Sequence, residues 1–264
     1  MIKETNARHE DGGTVLGIDT STATLAISIF RDGIELGAVQ SLAQRNHSVL
    51  VVPEIKRLMH TCGIGPAEVD AIAVGQGPGS YTGVRIAATV GKTLAWAWNK
   101  PLLGISSLEA LAWRAWELAQ AAGSLGRAGR SQAWIVPVLD ARRGQVYTAR
   151  FAADSGGGWN RLDADGIRMA DRWAAEMRQA AIGSGDISVL LFAGDVGLHA
   201  AHFHAPPGGI QVQAVAVDMA ASAICKLAVM RLKQGDSDDP HGFVPNYTQL
   251  AEAEVKRLAA TQGD

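Results

Sequence analysis

The stretch Val69 to Lys100, VDAIAVGQGPGSYTGVRIAATVGKTLAWAWNK, decides the fold. Ala71-Ile72-Ala73-Val74 is a short apolar run of the kind that forms a buried strand. Gly75-Gln76-Gly77-Pro78-Gly79-Ser80 follows it, and turn residues at that density demand a sharp reversal or a close backbone approach. The next residues predict a helix capped by Ser80 or Thr82, running through Ala87, Ala88 and Leu94 to Trp98 and stopped by Asn99-Lys100-Pro101. A strand, a glycine turn and a helix N-terminus in succession form a candidate anion site, or a turn with no ligand at all.

Two nucleotide motifs fail on this stretch. A phosphate-cradling P-loop needs a glycine five residues before Gly91-Lys92-Thr93, where Ile86 stands. The dinucleotide fingerprint fails because the glycine after Gly77-Pro78-Gly79 comes one residue late, at Gly83, with no β-α-β unit and acidic ribose ligand behind it. The helix has a pattern of its own: Gly83, Ala87, Gly91 and Ala95 recur every four residues and form a stripe of minimal side chains. Another backbone can come close there, either the protein's own sheet or a second chain. Two interior glycines cost about 1 kcal/mol each against alanine, which packing has to offset.

Working outward, 264 residues with 47% apolar composition can bury a large core in two lobes or one large domain. Met1 to Gly13 is polar and lacks the apolar core of a signal peptide, and no apolar run approaches a membrane span, so the expectation is a soluble cytoplasmic protein with a flexible extension over 1–13. Cys62 and Cys225 lie far apart and read as core fillers. A net charge of −2 argues against a protein that grips nucleic acid alone, although Arg142-Arg143 could form a local patch.

Thr14 to Asp19 predicts a buried strand, Asp19-Thr20-Ser21-Thr22 a turn, and Leu25 to Phe30 and Glu35 to Ser41 two further strands of an antiparallel meander. Asp19 could hold a metal-bound phosphate or only close its turn. His47-Ser48 opens a helix to about His60, with Ser48 as a candidate cap, a first turn (Val49 to Val52) apolar on every side, and Pro53 as a place to bend. Leu108 to Ala122 is amphipathic and ends at Gly123. The Gly/Arg-rich stretch 124–131 is one candidate boundary and Pro101 to Ser106 is the other.

Past that point the pattern repeats. Trp134 to Leu139 predicts a strand, Asp140 to Gly144 a turn, and Gln145 to Phe151 a return strand, mirroring Val15 to Phe30. One such unit heading each half indicates a duplicated two-lobed α/β fold with a cleft between lobes. Val189 to Phe192 leads into a second glycine turn, Ala193 to Gly197. His199, His202 and His204 lack a firm carboxylate or cysteine partner, which weighs against a metal site. Asp236 to Pro240 reads as an exposed acidic turn, and Pro245-Asn246-Tyr247 as an extended arm before a terminal helix over 250–260.

Taken together, Asp19-Thr20-Ser21, His47-Ser48, the block GQGPGSYTGVR at 75–85, Asp140-Ala141-Arg142 and Pro245-Asn246-Tyr247 resemble the TsaB family, also called YeaZ. The resemblance covers nearly all of residues 14–255. It implies a two-lobed actin-like ATPase domain of the ribonuclease H-like class, with lobes at 14–105 and 106–264 and the final helix packing back on the first lobe. It also implies a non-catalytic subunit in bacterial synthesis of N6-threonylcarbamoyladenosine (t6A) on tRNA. Such a subunit stabilises and positions the catalytic homologue TsaD through helices of the first lobe, works with the ATPase TsaE, and forms a homodimer when alone. tRNA would be met only within the complex. No cofactor is firmly implied, with ATP or ADP at the complex interface as the candidate.

The resemblance further implies that the catalytic relative binds its metal through two histidines four apart on the first helix. Here Val51 stands four residues after His47, so no metal and no catalytic residue is expected. Val49, Val52, Gly83, Ala87, Gly91 and Ala95 are then the expected partner interface. The alternative function is a small-molecule kinase or ATPase, with Asp19 and Asp140 holding a metal-phosphate group in the cleft and Gly194 and Gly197 approaching an adenosine.

Overall fold

Val15, Leu16 and Ile18 have no exposed surface, and the strand that carries them, β1 (Thr14–Asp19), is the middle strand of five. The structure, a computed structural model, describes residues 13–42, 46–124, 132–204 and 210–248. The terminal helix expected over 250–260 and most of the candidate boundary 124–131 lie outside the described residues. Antiparallel pairing joins β1 to β2 (Thr24–Arg31) and β2 to β3 (Ile34–Leu42). On the other side of β1, β4 (Ala71–Gly75) and β5 (Leu102–Ile105) add in parallel, giving the order β3-β2-β1-β4-β5. The parallel connections are made by helices α1 (His47–Cys62) and α2 (Tyr81–Trp98), as parallel pairing requires.

The second half repeats this plan. Strands β6 (Gln132–Asp140), β7 (Gln145–Ala153) and β8 (Trp159–Met169) form the antiparallel meander, while β9 (Ile187–Gly194) and β10 (Gln211–Val215) add in parallel to β6. Read from β8 inward, the order β8-β7-β6-β9-β10 reproduces the first sheet strand for strand. Helix α4 (Ala170–Ser184) joins β8 to β9. This is the duplicated two-lobed actin-like fold.

Alternation along the strands sorts side chains into layers. Leu16, Ile18, Leu25, Ile27, Ile72 and Val74 point to one face of the first sheet, where α1 and α2 cover them. Val15, Ala26, Phe30, Ala71 and Ala73 point to the other face, where helix α5 (Ala221–Lys233) covers the sheet and itself packs on helix α3 (Ser107–Ala121). Helix α3 in turn covers Ile135, Leu139, Phe151 and Leu191 of the second sheet, whose far face packs on α4 through Trp173, Met177 and Phe192. The lobes therefore share one central apolar layer. Cys225 is buried in it and Cys62 is half-buried at the end of α1. Among the described residues, no helix is long and apolar enough to cross a membrane.

Several local expectations change. Residues 101–106, one candidate hinge, are β5 and the cap of α3: Ser106 Oγ accepts the N–H of Glu109 at 3.1 Å. Asn46, not Ser48, occupies the N-cap of α1, and its side chain makes no capping bond. The helix continues through Pro53 to Cys62. Ser80 caps α2, accepting from the N–H of Gly83 at 3.3 Å. In the acidic turn at 236–240, Asp238 covers the edge of β5, bridging Leu102 and accepting the N–H of Gly104 at 2.7 Å.

Candidate functional site

The small-residue stripe of α2 faces inward. Gly83, Ala87, Gly91 and Ala95 are all buried, and each approaches the sheet of its own lobe. A Cβ on Gly91 would stand 2.2 Å from Cγ1 of Val74, and one on Gly83 would stand 1.9 Å from the carbonyl oxygen of Thr20. Thr20 completes the seam, its hydroxyl donating to the carbonyl of Gly83 and accepting from the N–H of Ala87. Placing these four residues on an association surface is corrected here: four-residue spacing reports a close approach, and the partner in that approach is strand β4 and the β1 turn.

The opposite face of α2 is the one presented outward. Tyr81, Arg85 and Thr89 follow one another at four-residue steps, and with Thr82, Ile86 and Val90 they form one wall of a groove of about 340 Å³. Ser48 and Val51 of α1 form the other wall. Beside Ser48 and Val51 in sequence, Val49 is 69% exposed and Val52 43%, and Tyr81 on the facing wall is 47% exposed. The helical period in the sequence carried this signal, since the face opposite the stripe holds aromatic, β-branched and arginine side chains. The first turn of α1 is less uniform than expected, for Val51 is buried in the lobe. His47 is buried too, with Nε2 3.2 Å from the carbonyl of Ala23, so it tethers the helix start to the β1–β2 turn.

Between the lobes lies a larger cleft of about 840 Å³, lined by Ser21, His47, Ser80 and Thr82 on one side and Asp140, Arg142, Tyr147 and Asp195 on the other. Of the four residues expected to meet a nucleotide, only Asp140 is on its wall. Its Oδ1 accepts the N–H of Arg142 at 3.2 Å and faces Nε2 of His199 at 3.4 Å, while its own N–H donates to Asp195. Asp195 and His199 thus join Asp140 through contacts that sequence spacing did not reveal.

Asp19 is enclosed beneath the cleft. Its Oδ1 accepts from the N–H and the hydroxyl of Ser21, both at 2.7 Å, and its Oδ2 from the hydroxyl of Ser107 at 2.7 Å. Burial pushes its carboxyl above the ordinary range, opposed by the bonds from Ser107 and Ser21 and by the nearby His47. With no exposed surface and both oxygens occupied, it closes the turn and does not reach into the cleft. Gly194 has φ +118 and lies against Val138 and Leu111, where a Cβ would be 2.3 Å from the carbonyl of Val138. Gly197 stands in the 3-10 segment Val196–His202 with open space beside it. Among the described residues, no three His, Cys, Asp or Glu side chains are grouped to hold a metal ion.

The arm at 245–247 stitches the lobes across the back of the glycine turn. The N–H of Asn246 donates to the carbonyl of Gln76 at 2.7 Å, and its Nδ2 to Asp165 of β8 at 3.2 Å. The ring of Tyr247 lies 5.3 Å from that of Tyr81. Arg161 extends the connection by pairing with Glu109 and Asp165. On the other rim, the β6–β7 turn holds Arg142 at φ 69 and Arg143 at φ 55, conformations that cost about 1 kcal/mol or more for a residue with a Cβ.

Comparison with known proteins places this architecture. Residues 30–165 match a family model described as TsaD, tRNA N6-adenosine threonylcarbamoyltransferase. The chain is 34% identical over 245 residues to the tRNA threonylcarbamoyladenosine biosynthesis protein TsaB of Bacillus subtilis, covering 92% of this chain and 97% of that one. It is 36% identical over 118 residues to a tRNA N6-adenosine threonylcarbamoyltransferase of Thermomicrobium roseum, covering 39% of this chain and 32% of the relative. A crystal structure of a Pseudomonas aeruginosa protein with similarity to peptidase YEAZ superposes with a TM-score of 0.69 at 26% identity, over 90% of this chain and 100% of that one.

Proposed function

The chain belongs to the TsaB family of tRNA threonylcarbamoyladenosine biosynthesis proteins, and on that premise we propose that it serves t6A synthesis as a non-catalytic subunit that stabilises and positions a TsaD-type partner. The observation that carries this reading is the groove between α1 and α2, with Tyr81 exposed on its wall and Val49 and Val52 exposed next to its Ser48 and Val51. Exposed apolar side chains beside a concave strip are the usual anchor of a helix-mediated contact. Because a TsaD-type domain matches residues 30–165, a partner of that kind would present similar helices. A self-complementary surface then gives a two-fold homodimer in the partner's absence.

The enclosure of Asp19 favours this reading over a small-molecule kinase, which would need that carboxylate on the cleft wall. In the proposed assembly TsaE joins the pair, ATP or ADP sits at an interface of the complex, and tRNA is met only there. Co-purification with a tagged TsaD-type protein, with t6A formation as the readout, tests the reading. Retention of the partner and loss of the modification when this chain is omitted are expected. Full modification without it, or ATP turnover by this chain alone, would overturn the proposal.

A further inference from the structure

Four arginines converge at one end of the second sheet, although the chain as a whole carries a net charge of −2. Arg142 and Arg143 occupy the β6–β7 turn, Arg168 is the last residue but one of β8, and Arg172 lies in the first turn of α4. Strand pairing brings them together: Val146 is opposite Arg168, Gln145 is opposite Met169, and the N–H of Ala170 donates to the carbonyl of Gly144 at 2.9 Å. All four are exposed. Resting on the t6A reading above, we propose that this tip is a docking surface for the phosphate backbone of an RNA.

The cluster groups arginines without ion pairs, whereas Arg85, Arg114 and Arg178, also without one among the described residues, stand on α2, α3 and further along α4. Arg31, Arg57, Arg150, Arg161 and Arg231 each lie within 4 Å of a carboxylate, whereas among the described residues Arg142, Arg143, Arg168 and Arg172 do not. The acids nearby are otherwise directed. Asp140 faces His199 and the N–H of Arg142, Asp195 takes the N–H of Asp140, and Asp171 takes the N–H of Arg172. Glu176, one turn beyond Arg172, makes no ion pair with it among the described residues. The Arg168 guanidinium rests 5.2 Å from the centre of the Trp173 ring, which holds it in place while leaving it open to water.

The chemistry selects the partner. Guanidinium forks bind phosphate oxygens in pairs, and all four cations here are arginine. A protein interface would need an apolar centre, and of the large apolar side chains within 142–147 and 167–173 only Met169 is exposed. Position agrees with this. Arg142 lines the cleft together with Ser48, Tyr81, Thr82 and Ile86, four of the eight residues that border the α1–α2 groove. A partner seated on that groove would have the arginine tip at its flank, where an RNA held by the partner can extend across it.

The test is fluorescence anisotropy of labelled tRNA, titrated with the chain alone at low salt and with its complex with a TsaD-type partner at physiological salt. Arg142→Asn with Arg143→Asn removes two charges while keeping a residue type that tolerates the left-handed backbone. Lys100→Ala with Lys233→Ala removes the same charge elsewhere. The arginine pair should weaken binding about tenfold or more and reduce the slope of log affinity against log salt by about two, with the lysine control unchanged. Wild-type affinity and slope in the arginine variant would overturn the proposal. So would a polyglutamate peptide that competes as well as an RNA of equal charge, because the surface would then fit an acidic protein. If wild-type chain fails to form the complex in gel filtration, the proposed function fails, and the low-salt titration of the chain alone still decides the arginine surface.

Discussion

Ser107, the first residue of α3, donates a 2.7 Å hydrogen bond from its hydroxyl to Asp19, the last residue of β1. The bond fixes the start of a central-layer helix to the first sheet. It also leaves a buried carboxyl whose ionisation is linked to folding. A carboxyl whose folded pKa lies above its unfolded value binds more protons in the native state, so stability falls as pH rises from about 3.8 through the folded value, and the loss persists above it. Asparagine cannot ionise. The stability of Asp19→Asn minus that of wild type should therefore rise with pH across this window and level off beyond it. Glu68, Asp236 and Asp239, whose pKa values are lowered, act in the opposite sense but equally in both proteins. Urea denaturation from about pH 4 to about pH 8 measures the difference, and a flat line would contradict the assignment.

Ala87→Trp should damage the fold. The alanine has no exposed surface and its N–H is held by Thr20, so an indole must push α2 off its own sheet at a cost of about 3 kcal/mol or more. Thermal melting reads it directly, and an unshifted midpoint would return the stripe to the surface.

Val49→Glu combined with Val52→Glu should do the reverse. Both side chains are exposed, so fold stability should change by no more than about 0.5 kcal/mol per site. Association with a TsaD-type partner, followed by calorimetry or gel filtration, should weaken about tenfold or more, which is about 1.4 kcal/mol.

Asn246→Ala removes the side-chain bond to Asp165 while leaving the backbone bond to Gln76. About 1 kcal/mol should be lost in chemical denaturation. Hydrogen exchange should quicken at the N–H of Asn246 before it does in β1, because the arm lies outside the shared core.

Much of the fold was legible because the repeated unit is local. Strand, aspartate turn and return strand at 14–30 and 134–151 stand out by pattern alone, and the start of α2 is narrowed to a cap at Ser80 or Thr82. What stayed hidden depends on tertiary covering. β8 is an edge strand with arginine and aspartate among its apolar residues, so alternation is blurred. In α5 nearly every residue of the first two turns is buried, which erases the amphipathic stripe that marks a surface helix. β5 is only four residues long, too short for its pattern to be told from a boundary segment. In the site, spacing identified the stripe as a close contact but could not say which backbone approaches it. The bond from Ser107 to Asp19 spans 88 positions and leaves no local trace.

The covering of the first sheet's inner face by α5 sets a timetable for biosynthesis. The inner face of the first sheet, with Ala26, Phe30 and Ala73, is sealed only when Ala221–Lys233 arrives, well after the last strand of that sheet has been made at Ile105. At the ~5–20 residues per second of translation this interval is on the order of ten seconds. Throughout it a nascent chain carries a finished sheet with one bare apolar side, the kind of transiently exposed surface that favours aggregation.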